Sequence, residues 1–122
     1  MKIVPLKKEN RILIPQCSLA TNFFTRFFGL MGRSTIGREE AIFFPRCNSI
    51  HTFFMRMPID VVFVSTEGEV IDIKHSLKPW RLLFPITRAA HTLEMRAQLA
   101  QELGIARGDR LDLDSLFEGA KN

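Results

Sequence analysis

The chain has no tyrosine, a single tryptophan and only two cysteines. Cys17 and Cys47 are far apart and form no CxxC pair, so no disulfide framework is encoded, and a reducing compartment leaves both as thiols. No run approaches the roughly 18 apolar residues that cross a bilayer. Near the start, Lys7, Lys8 and Glu9 interrupt the short apolar stretch before it reaches the length of a secretory signal core. We therefore expect a cytoplasmic protein with no membrane partner. P-loop, GxGxxG, GxSxG and HExxH patterns are all missing, which removes the enzyme classes most readable from sequence. No cofactor is expected.

What is present is a dry, Phe-rich core. Hydrophobic residues make up 46% of the chain and charged residues 25%, and eleven Phe supply most of the aromatic content. At 122 residues this suits one domain spanning 1–122. Residues 1–16 read as an N-terminal strand pair, Lys2 to Leu6 and Arg11 to Pro15, and about 115–122 as a frayed tail. Eleven Arg and six Lys against thirteen acids give a net charge of +4, which favours an anionic small molecule as partner. These cations alternate with acids along the chain, so a phosphate-tracking surface, and with it nucleic acid, is the less favoured expectation.

The stretch Ser49 to Val64 organises the rest. Ile50 to Phe54 and Asp60 to Val64 are β-rich runs, and Pro58 between them fits a bend better than a central ladder position. Arg56 and Asp60 fall beside that bend, where they pair with each other or share a ligand. Further along, Ser65 to Glu69 is a turn with Gly68 at a positive-φ position, and Val70 to Lys74 alternates as a strand should. Residues Ser76 to Arg88 are proline-punctuated and too apolar for a solvated loop, so they pack over something. Within them Trp80, flanked by Lys78 and Arg81, offers an aromatic face beside cations, suited to an anionic or planar ligand. The alternative is a loop pinned to the core by Trp80, with its cations snorkelling.

Elsewhere the periodicity is legible. Apolar residues from Leu19 to Met31 recur at helical spacing, capped by Ser18 or Thr21 and weakened by Gly29 and Gly32. Ala41 to Phe44 is a buried strand stopped by Pro45. Ala89 to Met95 is another strand, with Leu93 and Met95 opposite Glu94. Arg96 to Leu103 is helical with Gly104 as its cap. A turn at Gly108-Asp109 then leads into a strand with alternating Leu. The fold class that follows is α+β: a mainly antiparallel, strongly curved sheet or small β-barrel, with two short helices starting near Thr21 and Arg96.

The ordered set of Arg26 with Gly29-Leu30-Met31-Gly32-Arg33, Ile42-Phe43-Phe44, His51-Thr52-Phe53-Phe54-Met55, Pro58-Ile59-Asp60-Val61-Val62-Phe63, Gly68 with Val70, Glu94 and Gly104-Ile105 with Gly108-Asp109 resembles the DUF192 family. It spans about 17–113. The resemblance implies a compact β-rich domain with a few helices and no established activity. One departure is visible: where many relatives follow the glutamate with a small, glycine-containing turn, this chain has Met95-Arg96-Ala97-Gln98.

The candidate ligand-binding residues are His51, Thr52, Arg56, Asp60, Lys78, Trp80 and Arg81, in a ligand-binding or interaction domain. Enzymatic alternatives are acid-base chemistry by His51 and Asp60, or a thiol nucleophile, Cys47 or Cys17, activated by His51. A metal site from Cys47, His51, His75, His91 and Cys17 needs the fold to gather them, and none is expected.

Overall fold

The computed structural model describes residues 2–21 and 30–120. The helix expected from Leu19 to Met31, and Arg26 within it, lie largely outside the described residues. Eight strands run in order: β1 Lys2–Lys8, β2 Arg11–Leu19, β3 Glu40–Phe44, β4 Ile50–His51, β5 Ile59–Val64, β6 Val70–Leu77, β7 Leu82–Leu83 and β8 His91–Arg96. Among the described residues two helices follow, α1 Leu99–Glu102 and α2 Leu113–Ala120.

Six strands form one sheet in the order β1-β2-β3-β8-β5-β6. Neighbours are antiparallel except β2 and β3, which pair in parallel through Gln16↔Glu40 to Leu19↔Phe43. The sheet is therefore mixed. The barrel expectation is corrected: β1 and β6 are the two edges of an open sheet.

Strand alternation divides the interior into two layers. Cys17, Leu19, Phe43, Val62, Val64, Leu93 and Met95 face the helices, together with Leu99, Ala100 and Leu116. Ile42, Phe44, Ile59, Val61 and Phe63 face the opposite way, beneath Ile50, Met55, Met57 and Ala89. That second layer is roofed by a lobe made of residues 45–58 and 78–90, joined by the β4–β7 pair. The run Ile50 to Phe54 was expected to be a strand. Only Ile50–His51 pairs, because Thr52 to Met55 closes a turn through the Met55 N–H to the Thr52 carbonyl, with Phe54 at φ 63°.

The β6 hairpin forms as its pattern requires. Gly68 stands at φ 88°, and a Cβ there would lie 2.3 Å from the Leu111 carbonyl oxygen, so only glycine fits. The Gly108-Asp109 turn also forms, with Gly108 at φ 88° and the Asp109 carboxylate accepting the Ala106 N–H at 2.9 Å. Beyond it the expected strand is reduced to the isolated bridges Glu69↔Arg110 and Lys7↔Asp112. Most of the expected tail is α2: Asp112 accepts the Ser115 N–H at 2.9 Å and so caps its first turn, while Leu113 and Leu116 face the core.

Candidate functional site

The lobe is laced together through Thr52. This side chain is fully buried; its hydroxyl donates to the Lys78 carbonyl at 2.7 Å and accepts the Arg81 N–H at 2.8 Å. The Thr52 N–H donates to the Arg81 carbonyl, and the Trp80 N–H donates to the Thr52 carbonyl, at 2.8 and 2.9 Å. Residues 78–81 are thereby fixed over residues 51–54, although Lys78 comes 26 positions after Thr52 in the chain. At the other end of the lobe, the Ile86 N–H reaches the Asn48 carbonyl and Thr92 Oγ1 donates to the Cys47 carbonyl.

This scaffold presents aromatic side chains outward. Trp80 is 56% exposed and Phe54 59%, and their rings meet at 4.7 Å and 60°. Phe53 lies 5.9 Å from Trp80 and is stacked on His51 at 5.1 Å and 26°. Leu82 and Phe84 continue the exposed apolar surface. Both Phe54 and Trp80 occupy left-handed backbone, at φ 63° and 64°. For a bulky side chain this costs on the order of 1–2 kcal/mol, and such strain gathers where function demands a particular side-chain direction.

The expected site residues thus separate. His51, Thr52, Lys78, Trp80 and Arg81 come together in the lobe; Thr52 is its internal clamp, and Lys78 and Arg81 are exposed beside the indole. Arg56 is exposed on the same lobe and makes no ion pair among the described residues, which corrects the expected pair with Asp60. Asp60 stands apart. Alternation along β5 turns it to the helix side, where it is completely buried and accepts the Ser76 N–H at 2.8 Å and the Ala100 N–H at 3.0 Å. The β5–β6 register shifts between Ile59 and Val61, and Ser76 sits at φ 48°. Asp60 therefore satisfies the backbone freed by that bulge and the start of α1.

The enzymatic expectations lose their geometry for the same reason. His51 and Asp60 belong to opposite sides of the sheet, and His51 Nδ1 accepts the Phe53 N–H at 3.2 Å. Cys17 is in the helix-side core, where burial pushes its thiol up to about 12. Cys47 packs on the lobe side, so the two thiols are separated by the sheet. Among the described residues no three His, Cys, Asp or Glu side chains gather as metal ligands.

Two features escaped the sequence reading. The first is the burial of Glu94, which faces away from Leu93 and Met95 as expected but, registered between Ile42 and Val61, is 3% exposed, with Oε2 lacking any hydrogen-bond partner among the described residues. Desolvation raises its carboxyl to about 8. The second concerns charge, which was read as evenly interleaved. Residues 45–58 and 78–90 contain Arg46, Arg56, Lys78, Arg81 and Arg88 and no acid, leaving twelve cations against thirteen acids in the rest. All five are exposed, with Arg88 3.8 Å from Glu69. The excess positive charge of the chain is therefore concentrated on the lobe, a correction only the folded arrangement reveals.

An open, mixed α+β sheet carries helices on one side and a cationic, aromatic lobe on the other. The chain belongs to the DUF192 family, described as "Uncharacterized ACR", whose model matches residues 4–113. It is 39% identical over 115 residues to a UPF0127 protein of Pyrococcus furiosus, covering 90% of this chain and 94% of that one. A UPF0127 protein of Thermococcus sibiricus is 33% identical, covering 87% and 71%. Among solved structures, a protein of unknown function from Novosphingobium aromaticivorans matches at 27% identity and TM-score 0.71, covering 80% of this chain and 74% of that one. A putative transcription regulator from Sinorhizobium meliloti shares the fold at 23% identity and TM-score 0.72, covering 88% and 89%. No described helix is long and apolar enough to cross a membrane.

Proposed function

We propose that this protein is a binding protein for anionic, planar ligands, which it holds on the lobe. The observation that carries this reading is the Phe54–Trp80 pair: two bulky rings in left-handed backbone, touching each other and left in solvent. Burial does not account for those rings, since more than half of each is exposed. Arg56, Lys78 and Arg81, exposed on the same lobe, provide donors for a carboxylate or phosphate. A planar group stacks on the indole while its charge meets these cations. The reading goes with a cytoplasmic location, where such ligands are abundant.

Trp80 is the only tryptophan, so its fluorescence reports on this surface alone. Titration with adenosine monophosphate is expected to quench it. Arg81→Gln and Lys78→Gln are expected to weaken binding about tenfold each, in keeping with charge-assisted hydrogen bonds, while leaving the melting temperature unchanged. Both residues hold Thr52 through backbone atoms, which the substitutions preserve, and Arg81→Gln removes only an exposed 3.3 Å bond from the guanidinium to the Pro79 carbonyl. Unchanged fluorescence with adenosine monophosphate, an aromatic carboxylate and an oligonucleotide alike would remove the proposal.

A further inference from the structure

Resting on that reading, we infer that the ligand is polymeric: the lobe is a docking surface for single-stranded nucleic acid. A small molecule gains affinity by being surrounded in a concave site. Here both rings are more than half exposed, as are Phe84 at 77% and Leu82 at 55%. Two depressions formed by the described residues lie away from the lobe, one lined by Lys8 to Asn10 and Gly108 to Asp114, another by Ile73, His75 and Gly104 to Arg107. The first carries Glu9, Glu67, Asp109, Asp112 and Asp114 against Lys8 and Arg110, and so repels anions.

An extended strand suits the lobe's chemistry on three counts. Its bases have open faces that stack on aromatic side chains whatever the sequence. Its phosphates recur along the chain and meet several cations at once, and the two segments of the lobe hold five cations and no acid. Its units are repeated, which matches aromatic and cationic groups spread from Phe54 and Trp80 to Phe84 and Arg88 rather than focused on one point. A duplex keeps its bases stacked inside and offers these rings nothing. A lipid surface rewards insertion of apolar groups at any ring angle, and so gives no reason for strained backbone at Phe54 and Trp80.

The test titrates the full chain with a twelve-nucleotide oligoadenylate, the matching duplex, adenosine monophosphate, and vesicles of phosphatidylglycerol and phosphatidylcholine. The single strand is expected to quench Trp80 and to bind at least about tenfold more tightly than the mononucleotide and the duplex. Three to five phosphate contacts predict a log–log salt slope of about −2 to −3.5. Trp80→Gly, which suits the left-handed position, is expected to weaken binding of a labelled strand about tenfold or more with folding retained. Phe84→Ala and Arg56→Gln are expected to weaken it as well.

Equal affinity for mononucleotide and strand would overturn the inference while leaving the anionic-planar reading in place. Duplex binding as strong as single-strand binding, with Trp80→Gly silent, would overturn it. A vesicle-induced blue shift of Trp80 without oligonucleotide binding would instead assign the surface to membranes. Binding of none of these probes would remove both proposals.

Discussion

Glu94→Gln isolates the effect of one buried carboxyl on stability. In the native state the group faces the lobe layer, almost completely desolvated, and ionises only near pH 8 rather than at its ordinary 4.5. In the unfolded chain it ionises at the ordinary value. A folded pKa raised above the unfolded one means that stability from this group is complete below about pH 4.5 and is lost as the pH rises towards 8. Within that window each pH unit removes about 1.4 kcal/mol, so the loss between pH 5 and 7 is roughly 2 to 3 kcal/mol. Glutamine has nearly the same shape and cannot ionise. Its amide leaves a constant cost for unsatisfied donors, about 1–3 kcal/mol, that does not change with pH.

The assay is urea unfolding of both proteins from pH 5 to 8.5. The difference in unfolding free energy is expected to move in favour of the variant by roughly 2 to 3 kcal/mol from pH 5 to 7, then level off above about 8. With a urea slope of about 1–3 kcal/mol per molar, the midpoint separation changes by about 1–2 M. His91, whose ionisation is depressed by burial and then by Arg46, titrates in the opposite sense. It does so in both proteins and cancels in the difference. Parallel stability curves from pH 5 to 8 would refute the reasoning.

Three further outcomes are expected. Asp60→Ala strands the buried Ala100 N–H and the part-buried Ser76 N–H rather than a positive partner, and should lower stability by roughly 1–4 kcal/mol in chemical unfolding; wild-type-like unfolding would contradict it. Gln98 precedes α1 at φ 76° with no side-chain cap, so Gln98→Gly should raise the unfolding free energy by about 0.5–1 kcal/mol, and a loss would show the strain to be absent. Gly68→Ala forces a Cβ towards the Leu111 carbonyl in left-handed backbone and should cost about 2 kcal/mol or more, read as a fall in melting temperature.

Gln98 also explains the family departure seen in the sequence. Where the resemblance implies a glycine-containing turn after the glutamate, this chain makes the turn with Gln98 in the left-handed conformation glycine prefers. The same local logic made other elements readable. Alternation in 70–74, the run 60–64 and the Gly-Asp turn each depend on neighbours close in sequence, and each formed where expected. Thr52 to Phe54 misled because their β-prone composition was overridden by a turn that holds the Trp80 loop. Leu113 to Ala120 was taken mostly as strand end and tail because eight residues carry too short a period to announce a helix.

By itself, then, the sequence determined the α+β class, most strand positions, the family, and the grouping of His51, Thr52, Lys78, Trp80 and Arg81 as residues of interest. Those properties follow from side-chain period, turn chemistry and motif order, which are local or linear. Tertiary structure alone decided that Asp60 serves the β6 bulge and α1, that Glu94 is buried without a described partner for Oε2, and that two acid-free segments form one cationic lobe. Each of these depends on which side of the sheet a residue faces and on what a segment dozens of positions away brings to meet it, and both are set by strand pairing across the whole chain.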